Sequence, residues 1–196
     1  LKDENLSEIC RNAVLLEKNR HPEIEYDSEL PKDDIKLYCD HRQVSRAVTN
    51  LLKNAAEAIT GLQEEPGKKP PKGNIRVFIS GSLDETQKVQ EADEKERSLT
   101  LSIEDNGRGL PKEDRETLTE PYVTTRTKGT GLGLAIVKKI MEDHNGQLLL
   151  EDREGGGTRV SMVFHPIKHL AESDDNDKGK SDDPMKVATD LLAHGS

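Results

Sequence analysis

Asn50 and Asn54 stand one helical turn apart in NLLKNAAEAI, and Glu57 follows within the next turn, so two carboxamides and a carboxylate share one helix edge. Such an edge can face phosphates. It can also offer a carboxamide oxygen to Mg²⁺, which prefers hard oxygen ligands, keeps most of its water and needs few protein groups. Asp105 closes the strand-like SLTLSI and opens DNGRGL, where Gly107 and Gly109 let other groups approach the backbone closely. Taken alone, that segment is a tight turn whose Asp caps its own backbone. Gly129, Gly131 and Gly133 of KGTGLGLAIV lead into an apolar helix. The first turn of that helix has unpaired N–H donors and the positive end of the helix dipole, where phosphate docks. Arg126, Lys128 and Arg108 supply cations to the same region. In this order the three segments together read as a site for ATP.

The glycine spacing is neither GxGxxG nor GxxxxGK[ST], so the dinucleotide fold and the P-loop are both set aside. The 196 residues fit one compact domain with a tail. Hydrophobic residues make up 32% and aromatics 3%, with no Trp, so the core must be mainly aliphatic. A net charge of -9 argues against nucleic acid as the main partner. No apolar run is long enough to span a bilayer, and the charged start LKDENLSEIC lacks a secretory h-region, so a cytoplasmic setting is expected. Cys10 and Cys39 lack the paired spacing of a zinc site and are expected to be reduced and unliganded.

The elements that must position these groups follow from periodicity. Leu6, Ile9, Cys10, Ala13, Val14 and Leu16 mark one face of an opening helix within residues 1–20, ended by Pro22. Segments 23–30 and 34–39 read as two short strands that pair with each other. Residues 43–62 form the clearest helix, with Gly61 as its stop. Segments 74–83 and 98–103 read as a hairpin across a charged insertion, and 147–152 and 157–165 as another around the REGGG turn. Residues 63–73 read as a solvated loop. The predicted fold is α+β, a two-layer sandwich with helices on one face of a mixed, largely antiparallel sheet. It covers 1–168, and 169–196 reads as an acidic disordered tail with a short apolar patch near Met185.

Asn50-x-x-x-Asn54, Asp105-x-Gly107-x-Gly109, Gly129-x-Gly131-x-Gly133 and Gly155-Gly156-Gly157-Thr158 resemble, in order, the N, G1, G2 and G3 boxes of the histidine-kinase ATPase family. Gyrase, the ninety-kilodalton heat-shock chaperone and the MutL repair protein share that wider group. TEPYVTTRTKGTGLGLAIVKKI further resembles nitrogen-regulatory sensor kinases of the NtrY and NtrB kind. The resemblance implies a Bergerat-type ATP fold with Mg²⁺ on Asn54 and nucleotide contacts from Asn54, Glu57 and Ala58. It adds contacts from Asp105, Gly107, Gly109 and Leu110, and from Thr125 of an ATP lid over 111–130. Gly129, Thr130, Gly131, Leu132, Gly133, Leu134 and Thr158 complete the set. Asp105 would accept a hydrogen bond from the exocyclic amine of adenine, whereas guanine presents another acceptor there. Arg126 and Lys128 would touch the γ-phosphate. Asn50 would stand where gyrase-like relatives carry a water-activating Glu; unable to take a proton at neutral pH, it implies slow hydrolysis.

Two features depart from the family pattern. The aromatic expected just before Glu120-Pro121 is Thr119, which puts the hydrophobic latch of the lid in question and leaves Tyr122 as its replacement. None of His21, His41, His144, His165, His169 or His194 has the context of a phosphoacceptor helix, so the acceptor His is expected on a dimerisation domain outside this fragment. The resemblance therefore implies the catalytic domain of a two-component sensor kinase. The fragment is expected to be monomeric within a homodimeric kinase, with a cognate response regulator as partner and a membrane anchor elsewhere in the protein as an option. Two rival functions share these residues: a nucleotide sensor without transfer, and a Ser/Thr kinase or ATPase of the same fold.

Overall fold

The computed structural model describes residues 1–63, 71–81, 98–112, 115–122 and 131–165. The chain opens with β1 (Lys2–Asn5), α1 (Leu6–Arg20), β2 (Glu25–Glu29), β3 (Lys36–Cys39) and α2 (His41–Gln63). It continues with β4 (Asn74–Gly81), β5 (Leu99–Asp105), a 3₁₀ turn (Arg115–Thr119), α3 (Gly133–Asp143), β6 (Gln147–Asp152) and β7 (Thr158–Phe164). Five strands form one sheet in the order β2-β4-β5-β7-β6, parallel between β2 and β4 and antiparallel elsewhere. The α+β architecture is the one expected. The predicted tail over 169–196 lies outside the described residues.

The core is the seam between the helices and one face of the sheet. Leu99, Leu101 and Ile103 of β5 and Met162 and Phe164 of β7 are buried with Val44, Val48, Leu51 and Leu52 of α2. Alternation along a strand puts every second side chain on that face. Asp105 continues the parity of Leu99, Leu101 and Ile103, and its cross-strand neighbour Thr158 has the parity of Met162 and Phe164. A carboxylate and a hydroxyl thus occupy the end of an otherwise apolar row. On the other face Glu104 is buried under Arg159, whose Nε donates to Oε1 at 2.6 Å, while Ser102 and Ser161 hydroxyls meet at 2.9 Å.

The helix layer is pinned where α2 begins and α3 ends. Asp40 Oδ1 accepts from the Arg42 and Gln43 amides at 2.9 and 3.1 Å and so caps α2. These bonds, that of Gln43 foremost, hold the Asp40 carboxyl below its ordinary range. Buried His144, just past α3, donates from Nδ1 to Ile140 O at 2.7 Å and accepts at Nε2 from the Asp40 amide at 3.0 Å. One neutral imidazole tautomer therefore ties the end of α3 to the start of α2.

Four local expectations are corrected. The strands β2 and β3 do not pair: β2 joins β4 in parallel, and β3 joins β1 antiparallel. Strand alternation reveals which face a residue occupies but not its partner, and β1, KDEN, has no apolar alternation to announce it. Leu16 is 57% exposed, while Glu17 is 1% exposed and paired with Arg20 at 2.7 Å. At about 100° per residue, position 17 falls in the middle of the Leu6–Val14 stripe and position 16 just beyond its edge. Gly61 does not end α2, which runs on to Gln63. Tyr122 is 79% exposed with a φ of 66°, so it does not replace a buried latch. In its place, Arg115 forks onto Asp152 at 2.7 and 3.0 Å and donates to Pro111 O at 2.8 Å, fixing the 3₁₀ turn against β6.

Cys10 and Cys39 are both free and buried. Burial pushes the Cys10 thiol up to about 12 and the Cys39 thiol to about 11, so neither is a thiolate at neutral pH. The folded protein is expected to leave Ellman's reagent unreacted at pH 8 and to release both equivalents on denaturation. Rapid reaction of either thiol in the native state would contradict this packing.

Candidate nucleotide site

A cavity of about 350 Å³ opens between the polar edge of α2, the ends of β5 and β7, and the N-terminus of α3. Asn50, Asn54, Glu57 and Ala58 line it from α2, Asp105, Gly109 and Leu110 from β5 and the turn after it, and Gly131, Leu132, Gly133 and Leu134 from the start of α3. Thr158 closes the sheet side. Segments as far apart as Asn50 and Thr158 are thus brought together by the pairing of β5 with β7 and the stacking of α2 on both the sheet and α3. Thr125, Arg126, Lys128, Gly129 and Thr130 lie outside the described residues, as do most of positions 113–130.

Each polar group has a local cause. Asp105 is 5% exposed, and its Oδ1 accepts from the Gly107 amide at 2.8 Å. The turn is tight because a Cβ on Gly107 would lie 2.6 Å from the Ala58 carbonyl carbon and 2.8 Å from Asp105 Oδ1. The Arg108 amide then donates to Ala58 O at 3.3 Å, joining the turn to α2. Asn106 locks the other side: its Oδ1 accepts from the Asn74 amide and its Nδ2 donates to Lys72 O, both at 2.8 Å. Asp105 thereby stands as a carboxyl group in the lining of the cavity, with one oxygen facing the Gly107 amide.

At the opposite end, α3 begins at Gly133 without a side-chain cap, because its N-cap residue is Leu132. A Cβ at Gly133 would sit 3.4 Å from both Asn54 Oδ1 and Nδ2, an ordinary contact distance, so the carboxamide lies directly beside the helix end. Asn50 Nδ2, one turn back, is buried without a protein hydrogen-bond partner. Lys53 reaches Glu57 at 3.8 Å on the same helix. The cavity therefore has a carboxylate end and a phosphate-like end, the latter built from carboxamides and backbone N–H groups.

The apolar walls were not singled out from the sequence. Ile103, Leu150 and Val160 form a floor from the sheet, and Leu118 of the 3₁₀ turn and Ile136 of α3 flank it. For the three strand residues the only signal was parity, which is the same for core and for cavity wall, and an apolar residue in a turn or helix carries no sharper one. A flat aromatic base fits such a lining, with polar specificity supplied by one buried acceptor.

Residues 39–168 match the family model described as histidine kinase-, DNA gyrase B-, and HSP90-like ATPase. The chain belongs to that family. Within this ATPase family it is 44% identical over 175 residues to nitrogen regulation protein NtrY of Azorhizobium caulinodans, covering 88% of this chain and 20% of that protein. It is 31% identical over 182 residues to sporulation kinase E of Bacillus subtilis, covering 90% of this chain and 21% of that protein. The chain thus spans about a fifth of the length of these curated relatives. Among solved structures, the catalytic domain of histidine kinase ThkA superposes with a TM-score of 0.64 at 28% identity, covering 84% of this chain and 94% of that one. Among the described residues, no helix is long and apolar enough to cross a membrane.

Proposed function

We propose that this chain is the ATP-binding catalytic domain of a sensor histidine kinase, which positions Mg-ATP for γ-phosphoryl transfer to a His on a separate dimerisation domain. The observation that carries this reading is the convergence of Asp105, Asn50, Asn54 and the uncapped start of α3 on one cavity. Similarity to nitrogen regulation protein NtrY supports the placing in nitrogen-regulatory signalling, and a response regulator is assigned as the downstream partner.

The proposed division of labour follows the two ends of the site. Asp105 accepts from the amino group of adenine, and the sheet floor packs on the ring. Phosphates meet the first-turn amides of α3, which are positioned before the reaction and need no reorganisation during it. Arg126 and Lys128 are assigned to the γ-phosphate, where they offset charge as the phosphoryl group leaves. Asn50 donates or accepts hydrogen bonds but takes no proton, which keeps water from becoming an efficient nucleophile.

The Asn54 carboxamide fits a magnesium site shared with phosphates, because its oxygen is a hard ligand, this ion needs few protein oxygens, and the uncapped start of α3 beside it suits the phosphates that would complete the shell. No group of three or more His, Cys, Asp or Glu side chains suited to a metal occurs among the described residues, in keeping with an ion shared with phosphates. Bound through Asn54 Oδ1, magnesium would neutralise phosphate charge.

His21 is paired with Glu23 at 3.1 Å, His41 with Glu4 at 3.3 Å, and His144 is the interhelical tie. Since none of the six histidines has the sequence context of a phosphoacceptor helix, the chain alone is expected to bind Mg-ADP but to acquire no label from γ-labelled ATP. Joined to the helical domain preceding it in a full-length kinase, it should yield acid-labile phosphohistidine, and Asn54→Ala should lower that rate roughly 100-fold, the scale of one preorganised electrostatic contact. Acid-stable phosphate, or label on the isolated chain, would contradict the proposal. Binding without transfer in the full-length kinase would favour the nucleotide sensor.

A further inference from the structure

Arg108 lines the same cavity, yet its guanidinium is placed well away from the phosphate-like end. It lies on α2 at Gly61: a methyl added there would collide with Nη2 and stand 2.7 Å from Cζ and 3.2 Å from Nε. Gly61 is seven residues beyond Asn54 on a continuous helix, hence roughly 10 Å farther along its axis. A glycine inside a helix costs about 1 kcal/mol relative to alanine, and here it creates the seat for a flat cation. The location is also electrostatically apt, since the last turns of a helix carry its negative dipole end. The backbone of Arg108 is fixed by its bond to Ala58 O, one residue from Gly107 and three from Asp105. Its cation therefore borders the carboxylate end of the cavity.

We propose that Arg108 is a nucleobase-binding residue that packs its guanidinium against the ring, held in place by the missing side chain at Gly61, and that it does not serve the phosphates. This rests on the proposed adenine-nucleotide reading of the cavity. A guanidinium is planar and weakly hydrated, so it can lie on both a helix backbone and an aromatic ring; an ammonium cannot reproduce that plane.

The two roles for Arg108 separate by how a loss varies with phosphate number. For Arg108→Ala, affinity for AMP, ADP and ATP, measured by NMR titration or calorimetry, should fall by one common factor of about 5 to 30, the range of a cation–aromatic contact. The salt dependence of ATP binding should be unchanged. Arg108→Lys should recover less than half of the loss on a logarithmic scale. Gly61→Ala moves the guanidinium without deleting it and, being favourable in a helix, should leave the melting temperature intact or raised. It should weaken all three nucleotides, and adding it to Arg108→Ala should cause no further loss. A loss that grows from AMP to ATP, full rescue by Lys, or unchanged affinity in Arg108→Ala would overturn the inference while leaving the cavity's assignment standing. Failure of the parent chain to bind ADP would instead sink the nucleotide reading and this inference with it.

Discussion

Asp105→Asn is expected to lower ATP and ADP affinity roughly 10- to 100-fold with little change in the fold. The carboxylate caps the Gly107 amide at 2.8 Å, a bond the amide oxygen of Asn retains, so the turn should persist. The change replaces an ionised acceptor by an amide that also donates, which removes a charge-assisted bond worth about 1.5 to 3 kcal/mol. That energy converts to the stated loss of affinity. In the parent, ADP at about 100 times its dissociation constant adds roughly 2.7 kcal/mol and raises the melting temperature by about 5 to 10 °C. The substituted protein should lose most of that shift at the same ADP concentration, while its discrimination against GDP narrows, because the 6-carbonyl of guanine would now face a donor. A full ADP shift in Asp105→Asn would contradict the role assigned to the carboxylate.

Gly157→Ala should be severely destabilising and should disable the site. Its φ is 100°, a region that strains any L side chain, and the new Cβ would collide with Asp105 O and sit 2.8 Å from Asn106 Cα. Both obstacles are backbone of the turn that presents Asp105, so relief must deform the site itself. Gly156 has nearly the same φ, 101°, but open space around it. Gly156→Ala should therefore cost only the conformational penalty of about 1 kcal/mol, whereas Gly157→Ala should cost about 3 kcal/mol or more and abolish the ADP-induced shift. Urea unfolding of the pair decides the matter: equal destabilisation would mean that the close approach of β7 to the Asp105 turn is absent.

Much of this architecture could be read from the sequence, for reasons that also mark the boundary. The helix carrying Asn50 and Asn54 has an unbroken apolar stripe, and the β4–β5 and β6–β7 pairs are neighbours along the chain, so period and order sufficed. The parallel partner of β2 lies some fifty positions away, and nothing in EYDSE names it. Gly61 reads as a helix stop unless Arg108 is known to lie on it. Within the site, Asp105, Asn54 and the glycines were legible because their chemistry is unusual at those spacings. Ile103, Leu150, Val160 and Leu118 were not, since an apolar residue looks the same whether it fills a core or floors a cavity. The bases Arg126 and Lys128 remain sequence-based assignments, outside the described residues.

The most direct test of the central claim is an amide NMR titration of the chain with Mg-ADP and, separately, with Mg-GDP. For ADP, saturable shifts should concentrate at Ala58, Asp105, Gly107, Gly131, Gly133 and Thr158, and the outer sheet face at Ser102, Arg159 and Ser161 should stay still. GDP should move these amides little at the same concentration. Saturable ADP shifts centred on the outer face, equal responses to the two nucleotides, or no response to ADP would contradict an adenine-nucleotide site between α2, α3 and the sheet.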